Sequence, residues 1–327
     1  MHRRHVLAWT ALAAVPALAA AQPAASVAPG PLRLLVPFPQ GGATDITARA
    51  LAAPLQHLLG QPVEVVNRPG AGGAACMQEV AAAAPDGRTL GLATLSTHGV
   101  NPAVYRSLPY DAVASFTPIT EVVKAPGVLV VHPSLAAQDF GQFIKLLKAG
   151  PRKVAFASPG VGTIGHMWAE LLMSTTNTAM VHVPYRGAAP ALADLLEGKV
   201  QVYCDQVASS LPHIQAGRLR ALAVSWHERL AVLPSVPTYA ELSLFSNNDP
   251  SWFGLVAPAG LPAARARGLR DAVAQALQEP AVRQRLSAQG LFPTGTLPQE
   301  FAALIRKEID KMRRVSRFAG IRLDAAA

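Results

Sequence analysis

At 327 residues the chain is too long for one ordinary hydrophobic core and fits two lobes of roughly 100–150 residues each. Half of the residues are hydrophobic and 15% are charged, with Val and Leu in short blocks cut by Gly and Pro, which excludes a disordered chain. The net charge of +9 comes from scattered basic residues with no aromatic interleaving, so it suits an anion-binding protein and argues against a nucleic-acid reader.

The first residues, Met1 to His5, are basic, and Val6 to Ala21 form an apolar run ending in alanines before Gln22. That pattern is a signal peptide cleaved near Ala21, which implies export and a soluble mature protein. As an anchor the run falls short of the roughly 20 residues that span a bilayer. Arg3-Arg4 resembles a twin-arginine signal, but paired Arg also suits an ordinary n-region, and the general secretory route is favoured. The basic surplus survives loss of Arg3 and Arg4. It clusters only at Arg306-Lys307, Lys311 and Arg313-Arg314, read as the solvated face of a helix.

A linker over 22–31 precedes the first predicted strand, Leu32–Val36. A helix follows with the stripe Ile46, Ala50, Leu51, Leu55, Leu58 and Leu59, closed by Gly60 and disturbed by Pro54. Val63–Val66 and Thr89–Thr94 read as strands with helix Met77–Ala84 between them, completing a βαβαβ unit. Ile119–Val123 and Val128–Val131 carry the chain into a second lobe, with a crossover and hinge near 124–128. There the rhythm repeats: helix Phe140–Lys148, strand Lys153–Ala157, helix Thr163–Ser174, strand Met180–Val183, helix Ala188–Leu196 and strand Val200–Cys204. Leu219–Ser225 returns the chain across a second hinge near 224–228. Strand Trp252–Ala257 and helices Pro262–Leu277 and Pro298–Val315 then pack on the first lobe. The expected division is 32–125 with 226–327 as lobe 1, and 126–225 as lobe 2.

Three strand-to-helix turns share one design. Gly41-Gly-Ala-Thr-Asp45 and Pro69-Gly-Ala-Gly-Gly73 belong to the first lobe, and Ser158-Pro-Gly-Val-Gly-Thr163 to the second. Glycine lets a ligand approach the backbone, and the free N–H groups with the helix dipole favour anions. Turns at the carboxyl ends of parallel strands are where open α/β sheets bind ligands. The bland reading of any one such turn is tight strand–helix packing, which is harder to sustain for two turns on separate lobes.

Several motifs follow one another in a telling order: Val36-Pro-Phe-Pro-Gln-Gly-Gly-Ala-Thr-Asp45, Val66-Asn-Arg-Pro-Gly-Ala-Gly-Gly73, Ala84-Pro-Asp-Gly87, Ser158-Pro-Gly-Val-Gly-Thr163 with His166, His182-Val-Pro-Tyr-Arg-Gly187, Leu211-Pro-His-Ile-Gln-Ala-Gly-Arg-Leu-Arg-Ala-Leu-Ala223 and Trp252-Phe-Gly-Leu-Val-Ala-Pro-Ala-Gly260. In this order, over about residues 32–322, the chain resembles the tripartite tricarboxylate transporter substrate-binding proteins, the Bordetella uptake gene family. The resemblance implies an α/β type II periplasmic binding protein: two lobes, each with a mainly parallel sheet flanked by helices, and a small carboxylate in the cleft between them. It implies a non-catalytic, monomeric receptor that delivers its ligand to integral-membrane transporter subunits.

Carried over residue by residue, the resemblance makes Phe38, Gly41, Gly42, Ala43, Thr44 and Asp45 the first ligand-facing turn. Ser158, Gly160, Gly162, Thr163 and His166 form the opposite wall, Ser96, Thr97 and His98 a third loop, and Asp205 an acid at a strand end. Each also has a plainer reading. Asp45 in a first helical turn suits capping, and His98 and His166 suit supporting hydrogen bonds as well as contact. Arg68 and Arg186 follow strand ends where structural ion pairs are common, so neither is counted. Val161, Ile164 and Gly165 replace the small polar residues usual in the family, while Cys204 and Gln206 flank Asp205 where an aromatic and an Asn are more usual.

One rival is an NADP-dependent oxidoreductase, since Gly160-Val-Gly-Thr-Ile-Gly165 is a GxGxxG between strand and helix, with Arg186 about 20 residues on. Pro159 in the turn, export and the lack of an acid–base set weigh against it. A second rival is a ligand-sensing partner of a membrane sensor. No GxSxG or HExxH is present, no cofactor is expected, and without CxxC or paired His/Cys spacing no metal is expected. Cys76 and Cys204 are read as a disulfide or as two buried thiols, the apolar surroundings favouring thiols.

Overall fold

The computed structural model describes residues 30–325. The expected signal peptide and most of the expected linker lie outside them. In chain order come β1 (Leu32–Val36), α1 (Ala43–Leu59), β2 (Val63–Asn67), α2 (Ala74–Ala82) and β3 (Thr89–Thr94). A π-helical turn, Ser96–Val100, leads into α3 (Asn101–Val104), β4 (Tyr105–Ser107) and the long β5 (Phe116–Ala125). Next are β6 (Gly127–Val131), α4 (Phe140–Ala149), β7 (Ala155–Ser158), α5 (Ile164–Thr176), β8 (Val181–Pro184), α6 (Ala188–Leu196), β9 (Val202–Gln206), α7 (Val207–Gln215) and β10 (Arg220–Ser225). The chain closes with β11 (Ser251–Pro258), α8 (Ala263–Gln278), α9 (Pro280–Ser287), β12 (Phe292–Pro293), α10 (Pro298–Phe318) and β13 (Leu323–Ala325).

Two sheets organise the two lobes, in the orders β12-β5-β11-β3-β1-β2 and β10-β6-β9-β7-β8. Strands laid down by βαβ units pair in parallel, β2-β1-β3 in one lobe and β8-β7-β9 in the other. The strands that carry the chain between lobes run antiparallel, β5 with β11 and β6 with β10. Both sheets are therefore mixed rather than mainly parallel. Crossing strands arrive without a helical crossover, so nothing forces them into parallel pairing.

The central strands β3 and β11 are buried at every position. The amphipathic α10 lies on β11 with Phe301 directly over Gly254, where any Cβ would overlap the ring. In α1, Gly60 closes the helix in the left-handed region at φ 62°, and Pro54 sits inside it without ending it. The expected return to the first lobe at residue 226 is corrected. Trp226, Leu230, Leu233 and Val236 share an apolar cluster with Val128, Val130 and Tyr203, and Tyr239 packs with Phe140. These side chains bury themselves on the second lobe, so the chain rejoins the first sheet only at Ser251.

Cys76 and Cys204 are free and buried, the first in a first-lobe cluster and the second in a second-lobe cluster. Burial, with the nearby Asp205 carboxylate, pushes the Cys204 thiol up to about 12, so it is inert at neutral pH.

Candidate functional site

The two lobes meet at the carboxyl ends of their parallel strands. From the first lobe, Gly42, Ala43 and Thr44 open α1 directly after β1, and Thr94 and Ser96 follow β3. From the second, Pro159 and Ile164 lie between β7 and α5, Ala188 opens α6, and Gln206 ends β9. Together with Phe38 and Phe253 these residues enclose a chamber of ≈ 20 Å³. A wider groove of ≈ 870 Å³ forms its mouth, bounded by Gly70–Gly73, Tyr105, Gly160, Val161 and Arg186. Phe38 and Pro159 line both spaces and form the neck between them.

The first turn is held open from behind. Asp45 is buried, and its carboxylate accepts the Gly41 N–H at 3.0 Å, the Arg49 guanidinium at 2.9 Å and the Asn67 amide at 3.1 Å. Burial raises the Asp45 carboxyl, but the hydrogen bonds from Arg49, Gly41 and Asn67 outweigh it and hold the group below the usual carboxylate range. Asp45 thus fixes the loop, and Gly41 spends its N–H on that carboxylate. Among the described residues no acceptor takes the first-turn N–H groups of Ala43 and Thr44, two chamber-lining residues at the positive end of a 17-residue helix.

The second lobe's turn is built from its own side chains. The Ser158 hydroxyl pairs with His182 Nε2 at 2.6 Å, and Thr163 Oγ1 donates to the Gly160 carbonyl at 2.7 Å instead of capping α5. The Gly162 N–H donates to His166 Nδ1 at 3.3 Å, and the His166 ring stacks on His182 with centroids 4.1 Å apart. Capping of α5 comes from the other lobe. The Ile164 N–H donates to Ser96 Oγ at 3.0 Å in a buried contact. A second bridge runs from the Tyr105 hydroxyl to the Val161 carbonyl at 3.3 Å.

Of the residues expected from sequence, Phe38, Gly42, Ala43, Thr44 and Ser96 line the chamber, and Gly160 lines the mouth. Gly41, Asp45, Ser158, Gly162, Thr163 and His166 support the loops. Three of the expected residues line neither the chamber nor its mouth. The π-helical turn tucks Thr97 and His98 into the first-lobe interior, where Thr97 closes on Thr94 and the His98 ring lies 4.8 Å from Phe116. Asp205 is buried within lobe 2, accepting the Ser209 and Ser210 hydroxyls at 2.6 and 2.7 Å, while its neighbour Gln206 takes the chamber wall.

Thr94 and Gln206 were findable as the last residues of β3 and β9, by the same strand-end rule that marks the glycine turns. Phe253 lies within an antiparallel strand and carries no local signal. Arg68 does form an ion pair, with Glu79 at 3.0 Å, whereas Arg186 is exposed at the mouth. Among the described residues no three His, Cys, Asp or Glu side chains gather as metal ligands.

The dinucleotide reading of Gly160-Gly162-Gly165 is not favoured by this geometry. A pyrophosphate needs free backbone at the glycine turn, but Gly162 packs on Val104, Tyr105 and Leu323, and Ser96 already takes the Ile164 N–H.

Comparison with known proteins gives a consistent result. The Tripartite tricarboxylate transporter family receptor profile matches residues 47–321. The chain is 38% identical to Protein BugT of Bordetella pertussis over 294 residues, 90% of each sequence. Among solved structures it is similar to Rpa4515 of R. palustris with adipate, at TM-score 0.86 and 34% identity, covering 89% of this chain and 97% of that one. It is also similar to MatC of Rhodopseudomonas palustris with bound malate, at TM-score 0.83 and 34% identity, covering 87% and 98%.

Proposed function

The chain belongs to the tripartite tricarboxylate transporter receptor family, and we propose from this that it is a non-catalytic periplasmic receptor, active as a monomer. It captures a small carboxylate between its lobes and delivers it to integral-membrane transporter subunits. The observation that carries this reading is the meeting of two helix N-termini, α1 and α5, at one interlobe chamber, with the Ala43 and Thr44 N–H groups unclaimed among the described residues. Adipate and malate in the two solved relatives support a carboxylate as the ligand. The basic, apolar N-terminus supports export.

In this reading one carboxylate oxygen pair sits on the Ala43 and Thr44 N–H groups with the Thr44 and Ser96 hydroxyls beside it. Gln206 meets the ligand from the other lobe. Asp205, buried behind Gln206, acts on the site by holding the start of α7. The lobes separate to admit the ligand and close around it, the chamber of ≈ 20 Å³ widening to the ligand's size. The hinge lies at the two chain crossings, near 125–127 and near 248–251.

A thermal-shift screen of mono-, di- and tricarboxylates, including adipate and malate, tests the reading. A ligand at 100 times its Kd stabilises the folded state by about 2.7 kcal/mol, which moves the melting temperature by several degrees. No shift with any acid, in protein stripped of co-purified ligand, would remove the carboxylate claim.

A further inference from the structure

A second groove lies on the first lobe between α10 and the segment that carries β4, and it encloses ≈ 460 Å³. Its floor is apolar, formed by Leu108, Tyr110, Val113 and Ile309, with Val113 36% exposed. Its rim carries Arg106, Arg306 and Arg313. Two acids also line it. Asp111 is turned into its own loop, where it accepts the Val113 and Ala114 N–H groups at 2.7 and 2.8 Å. Asp310 takes Arg313 at 3.2 Å, and Arg106 faces Asp324 at 3.4 Å. Both are exposed pairs, worth at most about 1 kcal/mol and readily exchanged for an incoming carboxylate.

Arg306 has no ion-pair partner among the described residues, and neither has Lys307, Arg314 or Arg317 on the same helix. Helical spacing places 306, 310, 313 and 317 in one stripe along the groove, with 307 and 314 in the next. The cluster that reads in sequence as a solvated helix face therefore borders an apolar floor. A cationic rim around apolar side chains is the anatomy of a recognition surface, and Arg is the cation enriched where partners bind tightly.

The groove also touches the cleft. Tyr105 lines both spaces, and its hydroxyl donates to Val161 of the second lobe. A partner resting against Tyr105 and Arg106 meets a wall whose position depends on lobe closure.

We propose that this groove docks an acidic extramembrane segment of the transporter's integral-membrane subunits. Its carboxylates rest on Arg106, Arg306 and Arg313, and an apolar side chain sits on the Val113–Ile309 floor. The inference rests on the receptor reading above.

The test titrates the fluorescently labelled mature chain against the transporter's membrane subunits held in nanodiscs of zwitterionic lipid, at low and high salt. Wild type should bind, and weaken as salt screens the rim. The double variant R306E/R313E should lose roughly tenfold or more in affinity, and R306Q a smaller part of that. Neither should change the thermal shift given by adipate or malate, since these side chains lie outside the chamber.

Docking is overturned if R306E/R313E binds as well as wild type, if wild type ignores the subunits, or if empty discs bind equally. The last outcome would assign the face to a lipid surface. If docking depends on the rim while no carboxylate shifts the melting temperature, the receptor reading falls and the docking site stands. If carboxylates bind and docking ignores the rim, the reverse holds.

Discussion

Asp205 and His98 are both shut away from water, and burial moves their protonation in opposite directions. Burial drives the Asp205 carboxyl up to about 6, against the pull of the Ser209 and Ser210 hydroxyls. Its folded pKa exceeds the unfolded 3.8, so the stability it contributes is full below pH 3.8 and is lost as pH rises through 6. Burial takes His98 down to about 3, and burial with the stacked His166 takes His182 to about 3 as well, each from 6.5. Their contribution is full above pH 6.5 and is lost as pH falls toward 3. Two histidines with larger displacements outweigh one carboxylate, so acidification from pH 7 to 4.5 should lower the melting temperature. His98→Gln should flatten that profile. Asp205→Asn should raise stability at pH 7.5 by of order 2 kcal/mol, a gain that vanishes near pH 4. A melting temperature that climbs on acidification would sink this assignment of signs.

Elements take their positions from contacts that local pattern does not announce. β11 and α10 are both visible in sequence, one as an apolar run and the other as an amphipathic stripe, but their register on each other depends on Gly254 under Phe301. Gly254→Ala should cost about 1–3 kcal/mol through overpacking, while ligand affinity per folded molecule stays the same. Urea unfolding of the variant measures this, and an unchanged midpoint would show that the ring has room to move. The turn after β3 makes the same point. Its Ser-Thr-His sequence reads as a ligand-facing loop, but it folds as a π-helical turn that sends Ser96 to the chamber and Thr97 and His98 inward.

At the scale of the molecule, the first lobe supplies hydrogen bonds that the second lobe's turn lacks. α5 has no side-chain cap of its own and receives Ser96 from the opposite lobe. Ser96→Ala leaves the Ile164 N–H buried without an acceptor in the closed form only, a penalty of about 1–3 kcal/mol. In the proposed receptor reading the closed form holds the ligand, so apparent carboxylate affinity should fall about 5- to 150-fold by calorimetry. Small-angle scattering should show a larger radius of gyration at the same time. Unchanged affinity would mean that the interlobe bond carries no part of the closure energy.

Most of the strand and helix order was legible in sequence, because apolar periodicity and Gly/Pro punctuation act over a few residues. So was the first glycine turn, whose glycines and helix start are contiguous from Gly41 to Asp45. Local pattern did not reveal the long stay of residues 226–248 on the second lobe, the antiparallel crossing strands, or which neighbour of a pair faces the cleft. Gln206 rather than Asp205 and Ser96 rather than His98 follow from strand register and helical phase once two lobes are packed. The sequence by itself determined two α/β lobes and helix N-termini suited to an anion. Only the tertiary structure decided which side chains meet across the gap, because those contacts join residues far apart in the chain whose orientation is set by packing rather than by their neighbours.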